Sequence, residues 1–168
     1  MLAELFINNF VIIKRDHLFF DKGFNVFTGE TGSGKSLILD AINIVLGKRA
    51  NKDVIGKFDD KTIIEAVFVV DKNTLEKLES KDITFDDNKL IITRTISQQS
   101  SSIRLNNRAT NLSLVKEISP LLIDIYKQGD SNVFMDKDNY LNIIDSYKKN
   151  DESILLIKEI KDLYNEKN

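Results

Sequence analysis

With 168 residues, no cysteine and a single histidine, the chain has room for one domain and no means of building a disulfide, a thiolate metal site or a histidine cluster. Its hydrophobic share of 42% and charged share of 30% are those of an ordinary globular protein, and no apolar run approaches the ~18 residues of a membrane span. A net charge of −2 and a pI near 5.5 carry none of the basic excess of a dedicated nucleic-acid-binding domain, which leaves such contact to a local patch or to parts of a larger protein.

Leu2 to Asn8 alternates apolar and polar residues and Val11 to Ile13 follows the Asn8-Asn9 punctuation, so both read as edge strands. No basic-then-apolar leader precedes them, which makes a cytoplasmic location the expectation. Leu18 to Phe20 and Phe24 to Thr28 flank Asp21-Lys22-Gly23, a hairpin composition whose second strand runs into Gly29. From Lys35, apolar residues at 37, 38, 41, 42, 45 and 46 mark one helical face, closed by Gly47. Thr62 to Val70 and Leu90 to Ser97 read as strands, with a short helix over Asn73 to Leu78 between them. Ile103 to Leu105 returns from the polar tip Gln98 to Ser102, Asn106-Asn107 forms a turn, and Asn111 or Ser113 caps a helix ending before Pro120. Leu121 to Tyr126 reads as a buried strand, and helical spacing resumes over Asp138 to Tyr147 and Ile154 to Tyr164.

The strongest chemical signal is Gly29-Glu30-Thr31-Gly32-Ser33-Gly34-Lys35-Ser36, a phosphate-binding loop set between a β run and a helix. Gly32 and Gly34 let backbone N–H groups turn inward onto phosphate oxygens, and the following helix adds its positive end. Lys35 is positioned for the β- and γ-phosphates and the Ser36 hydroxyl for Mg²⁺, so ATP with Mg²⁺ is the expected ligand. A glycine-rich turn that merely joins strand to helix would explain neither Lys35 nor Ser36. Hydrolysis needs more: an acid on the metal and a group that positions water. Asp124, after Leu121-Leu122-Ile123, is either that acid or a solvent-facing carboxylate; Ile125 follows it, so no second carboxylate is adjacent. Gln128, in a glycine-containing loop, is the candidate for orienting metal and water.

The start Leu5-Phe6-Ile7-Asn8-Asn9-Phe10, the loop itself, Leu39-Asp40-Ala41-Ile42, Leu46-Gly47-Lys48-Arg49-Ala50, Ile91 to Ile96 and Arg104 to Arg108 resemble the head domain of SMC-like ATPases, and within it the bacterial RecN DNA repair family. Glu30-Thr31 separates the loop from SMC and RecF relatives, which carry Asn at the second of these positions. The resemblance implies an α/β fold: the N-terminal lobe of an ABC/SMC-type head, an antiparallel β portion beside an incomplete nucleotide-binding core. It assigns residues 1–150 to that lobe and 151–168 to the start of a coiled-coil helix. It gives Gln128 the Q-loop role and brings Arg49 to the nucleotide or the dimer interface, where a solvated helix-end arginine is the other reading. Tyr126-Lys127 before Gln128 departs from the His and Gly usual in the family.

Neither a signature Leu-Ser-Gly-Gly nor an apolar run ending in Asp-Glu occurs in the sequence. The resemblance therefore implies that the catalytic carboxylates belong to a C-terminal half of the head. It further implies ATP-driven head-to-head homodimerisation in the intact protein, and DNA contact through that protein in double-strand-break repair and recombination. The fragment is expected to bind ATP and hydrolyse almost none, away from any membrane. Three rivals stand beside this: a small P-loop kinase, for which no arginine-bearing lid is visible; an ABC transporter nucleotide-binding subunit, which the missing signature disfavours; and a non-catalytic module pairing through its terminal helix.

Overall fold

The computed structural model describes residues 1–30, 34–81, 83, 85 and 87–125. The elements below all lie in the unit Met1–Asp124. Six strands form one antiparallel sheet: β1 (Leu2–Phe10), β2 (Ile13–Phe19), β3 (Lys61–Val69), β4 (Lys89–Ser97), β5 (Ser101–Leu105) and β6 (Arg108–Thr110), in the order β2-β1-β3-β4-β5-β6. Three helices accompany it: α1 (Lys35–Val45), α2 (Lys72–Glu79) and α3 (Leu112–Leu122).

Alternation decides the faces. Leu5 and Ile7 of β1, Ile64, Ala66 and Phe68 of β3, Leu90, Ile92 and Ile96 of β4, and Ile103 and Leu105 of β5 are buried, while their neighbours are half-buried or exposed. Helix α1 packs against β1, β3 and β4 and buries Ala41, Ile42, Ile44 and Val45. Each such Leu, Ile or Phe removed from water contributes about 1.5–3 kcal/mol, which makes this sandwiched layer the main source of stability. Gly47 follows α1 at φ 98°, and Ser119 of α3 donates from its hydroxyl to the Leu46 carbonyl at 2.8 Å, tying the end of one helix to the other.

Several expectations need correction. β1 is an interior strand, and the edge strand β2 starts at Ile13 and runs unbroken through the charged stretch Lys14 to His17. Two hydrogen-bonded backbones suffice to hold an edge strand with little buried surface, so no apolar alternation announces it. The hairpin expected between Leu18–Phe20 and Phe24–Thr28 does not form: residues 24–28 are exposed and unpaired with any described strand. Helix α3 does not stop before Pro120 but passes through it, and the strand expected from Leu121 is instead the helix end, with residues 123–125 in no strand. Pro120 lies in the last turn, where the helix continues for two residues despite the one backbone hydrogen bond that the missing N–H forgoes. Asn111, one of the two cap candidates, accepts the Leu114 N–H at 2.8 Å. The turn at Asn106-Asn107 is confirmed, with φ of 44° and 66°, the two-residue reversal that Asn favours, and it leads into β6. Residues 126–168, with Gln128, the two expected C-terminal helices and the expected boundary at 150, lie outside the described residues.

The joint between β1 and β3 rests on a buried amide. Asn9 is fully buried in the left-handed region at φ 55°, donates from Nδ2 to the carbonyls of Asp59 (2.6 Å) and Lys61 (3.1 Å), and accepts the Phe58 N–H on Oδ1 at 2.9 Å. Its carbonyl accepts the Gly56 N–H at 2.9 Å and the Thr62 hydroxyl at 2.6 Å. Two residues on, Val11 holds a φ of 53°, rare for a β-branched side chain, while its N–H donates to the Val54 carbonyl at 2.8 Å. A Cβ on Gly56 would lie 2.5 Å from Asn9 Oδ1 and 2.9 Å from the Val11 carbonyl oxygen.

Two outcomes are expected. Asn9→Ala should lower stability by about 3 kcal/mol in urea unfolding, because it strands buried backbone partners, and Gly56→Ala by about 1–3 kcal/mol through overpacking. At the start of α2, the Thr74 N–H donated to Asp71 at 2.8 Å holds that carboxyl below its ordinary value. The folded value being the lower one, the cap's contribution is complete above the ordinary carboxylate pKa and lost as pH falls through the depressed value. Acid titration of the Thr74 amide resonance should show this step, and Asp71→Asn should remove it.

Candidate phosphate-binding site

Helix α1 is entered through Gly34, at φ 94° and ψ 0°, a left-handed conformation that costs any L side chain about 1–2 kcal/mol. No side chain caps this helix start, and its first turn holds no acidic residue. The local field is therefore set by the helix's positive end and by Lys35, the first residue of α1. Lys35 Nζ donates to the carbonyl of Gly29 and, at 2.7 Å, to that of Glu30, so the ammonium lies over the beginning of the loop rather than pointing into solvent. Ser36 is exposed beside it, as are Gly29 and Glu30. Thr31, Gly32 and Ser33 lie outside the described residues.

The donor set suits a polyphosphate: a lysine and a serine occupy the first two positions of a helix N-terminus, with no carboxylate in its first turn to oppose them. It suits a metal less well by itself. Among the described residues no group of three His, Cys, Asp or Glu side chains could hold an ion. Arg49 is exposed on the connection after α1, where it lines a cleft with Leu37, Asp40 and Ile44 of α1 and with Asp53. Asp124 is exposed beyond the end of α3, a solvent-facing carboxylate.

Sequence reading missed the clasp of Asn9, Val11 and Gly56, which holds the β1–β2 turn against the segment following α1. Its signal was Asn8-Asn9 itself: the second asparagine is a residue tolerant of left-handed backbone, though nothing in its neighbours foretold a partner fifty residues away.

An antiparallel sheet backed by a glycine-entered helix that carries the loop lysine is the architecture of a P-loop ATPase head lobe of the SMC type. The chain belongs to the RecF/RecN/SMC N terminal domain family, which matches it over residues 1–126. Over 150 residues it is 35% identical to the DNA repair protein RecN of Halalkalibacterium halodurans (strain ATCC BAA-125), a match covering 88% of this chain and 26% of that protein. RecN of Bacillus subtilis (strain 168) is 34% identical with the same coverage. The chain thus spans about a quarter of the length of these curated relatives. A solved structure from work on ATP-driven dimerization and DNA-stimulated activation of SMC ATPases shares the fold, with a TM-score of 0.62 at 23% identity over 88% of this chain and 99% of that one. These likenesses do not favour the kinase and transporter readings.

Gly34→Ala should weaken binding of ATP by forcing the loop out of its left-handed entry, while lowering the melting temperature only slightly. Calorimetric titration and thermal unfolding of the same sample separate the two effects.

Proposed function

We propose that this chain is the ATP-binding N-terminal lobe of a RecN-like ATPase that acts in DNA double-strand-break repair and recombination. The observation that carries the proposal is Lys35, at the glycine-entered start of α1 and turned over Gly29 and Glu30, inside the stretch matched by the family and by the RecN relatives.

The roles follow from the chemistry of the side chains. Backbone N–H groups from Gly29 to Gly34 surround the phosphates, Lys35 neutralises β- and γ-oxygens, and the Ser36 hydroxyl contributes one oxygen ligand to Mg²⁺. Exchanging its two carbonyl acceptors for phosphate oxygens turns neutral acceptors into charged ones, which strengthens each Lys35 hydrogen bond. Bound ATP with Mg²⁺ supplies the phosphoanhydride and the charge that neutralises it. Gln128 positions metal and water, and Arg49 approaches the nucleotide or a second head.

Phe24 (94% exposed), Val26 (62%) and Phe27 (45%), just before the loop, and Leu39 (46%) on α1 are apolar side chains left open to solvent. Cover for them comes, in this reading, from the C-terminal half of the head, which also brings the catalytic carboxylates, while a second head closes the site and DNA is met by the assembled protein. The setting is the cytoplasm, at the nucleoid.

The purified chain should therefore bind Mg-ATP weakly, and Lys35→Ala should reduce that affinity by roughly tenfold or more, the loss of a charge-assisted phosphate contact. Phosphate release should stay at background in both. Steady turnover by the wild-type chain that Lys35→Ala abolishes would sink the half-site reading.

A further inference from the structure

Arg94 stands in the middle of β4 on the sheet face that carries the core. Its neighbours along the strand on that face are Ile92 and Ile96, and in register it is opposite Ile64 of β3 and Ile103 of β5. It is only 6% exposed, and among the described residues its Nε is the one buried side-chain polar atom without a hydrogen-bond partner. Neither ion pair found among the described residues involves it. The nearest carboxylate along the sheet, Glu65, is on the opposite face, where it accepts the Thr93 hydroxyl at 2.8 Å. Burial pushes the guanidinium below its ordinary pKa.

An arginine cannot escape this situation by losing its proton, as a buried lysine can. A buried guanidinium nitrogen left without an acceptor is unfavourable, and buried charges in folded proteins are paired. The planar fork of five N–H donors fits a carboxylate in two parallel hydrogen bonds. Neither ion pair found among the described residues gives Arg94 such a group, and the curated relatives are about four times longer than the stretch they share with this chain.

We propose that Arg94 is an anchor point for an Asp or Glu side chain carried by the C-terminal half of the head, which reaches the core-bearing face beside β4 when the two halves assemble. The inference rests on the composite-head reading above and adds to it a position and a charge. Arg94 then has a positioning role: it fixes how the complementary half sits, without touching the nucleotide.

The test uses the 168-residue chain and, as probe, the C-terminal head segment of the Bacillus subtilis RecN, with affinity read by calorimetry and the fold of each variant by thermal unfolding. Arg94→Met should leave the melting temperature of the isolated chain unchanged or raise it, because an unpaired cation is replaced by an apolar side chain of similar length. The same variant should bind the probe roughly tenfold or more weakly, the loss that follows from removing one member of a buried charge pair. Arg94→Lys, which loses the fork and holds its proton only with a carboxylate beside it, should fall between. Equal binding by wild type and Arg94→Met overturns the anchor while leaving the composite head standing. A chain that unfolds on Arg94→Met or Arg94→Lys also overturns it, by showing that the partner is internal to the lobe. If the wild-type chain itself does not bind the probe, the composite-head reading fails first and the anchor with it.

Discussion

The pairing of β1 with β3 is the constraint on which the rest of this lobe depends, and a single buried amide holds its end. Asn9 satisfies three backbone groups through its side chain and two more donors through its carbonyl, all from the segment that leads into β3 and the first two residues of that strand. With that segment fixed, β3 lies in register beside β1, Ile64 meets Ile7, and the two strands present one continuous apolar surface to α1. The helix that bears Lys35 and Ser36 thus packs on a surface that this joint, at the far end of the helix's connection, helps hold in register. Hydrogen bonds of this kind contribute modestly when made and cost much more when one partner is removed, so the joint behaves as an all-or-none element.

How much of this was legible in the sequence varied with the kind of physics involved. α1, β3, β4 and the Asn106-Asn107 reversal were readable because burial on one face imposes period and turn chemistry imposes residue type. The extent of β2 was not, since both its faces are largely open to water and its charged middle is held by main-chain bonds that carry no side-chain signature. Phe24 to Thr28 has the composition of a strand but no neighbour among the described strands, which shows that composition records what a segment is suited to pair with rather than whether it has paired. The end of α3 was misplaced because proline stops a helix that has turns still to make, and here only the last turn remained. Arg94 was open to view: in Leu90, Ile92, Arg94, Ile96 the alternation puts the cation on the inner face.

The phosphate site divides along the same line. Its loop residues are recognisable because each has a chemical duty that few other residues can perform, whereas the lysine's hold on the Gly29 and Glu30 carbonyls depends on a three-dimensional fold-back that no spacing rule contains. Membership of the RecF/RecN/SMC N terminal domain family gives those duties their setting.

The order of the strands also bears on how the lobe reaches its native state. From β3 to β6 each strand pairs with the next in sequence, a meander that closes through short loops or, before β4, around α2. β1 and β3 are adjacent in space but separated by an excursion that includes the loop and α1; Asn9 and Asp59, its two ends, are fifty residues apart. Chain entropy makes such a closure slower than a local one, and its cost grows only slowly with the length enclosed. The residues proposed to meet phosphate are accordingly built into the least local closure among the described strands, where extra length is tolerated thermodynamically and where the speed of folding, rather than its final stability, is what a long loop slows.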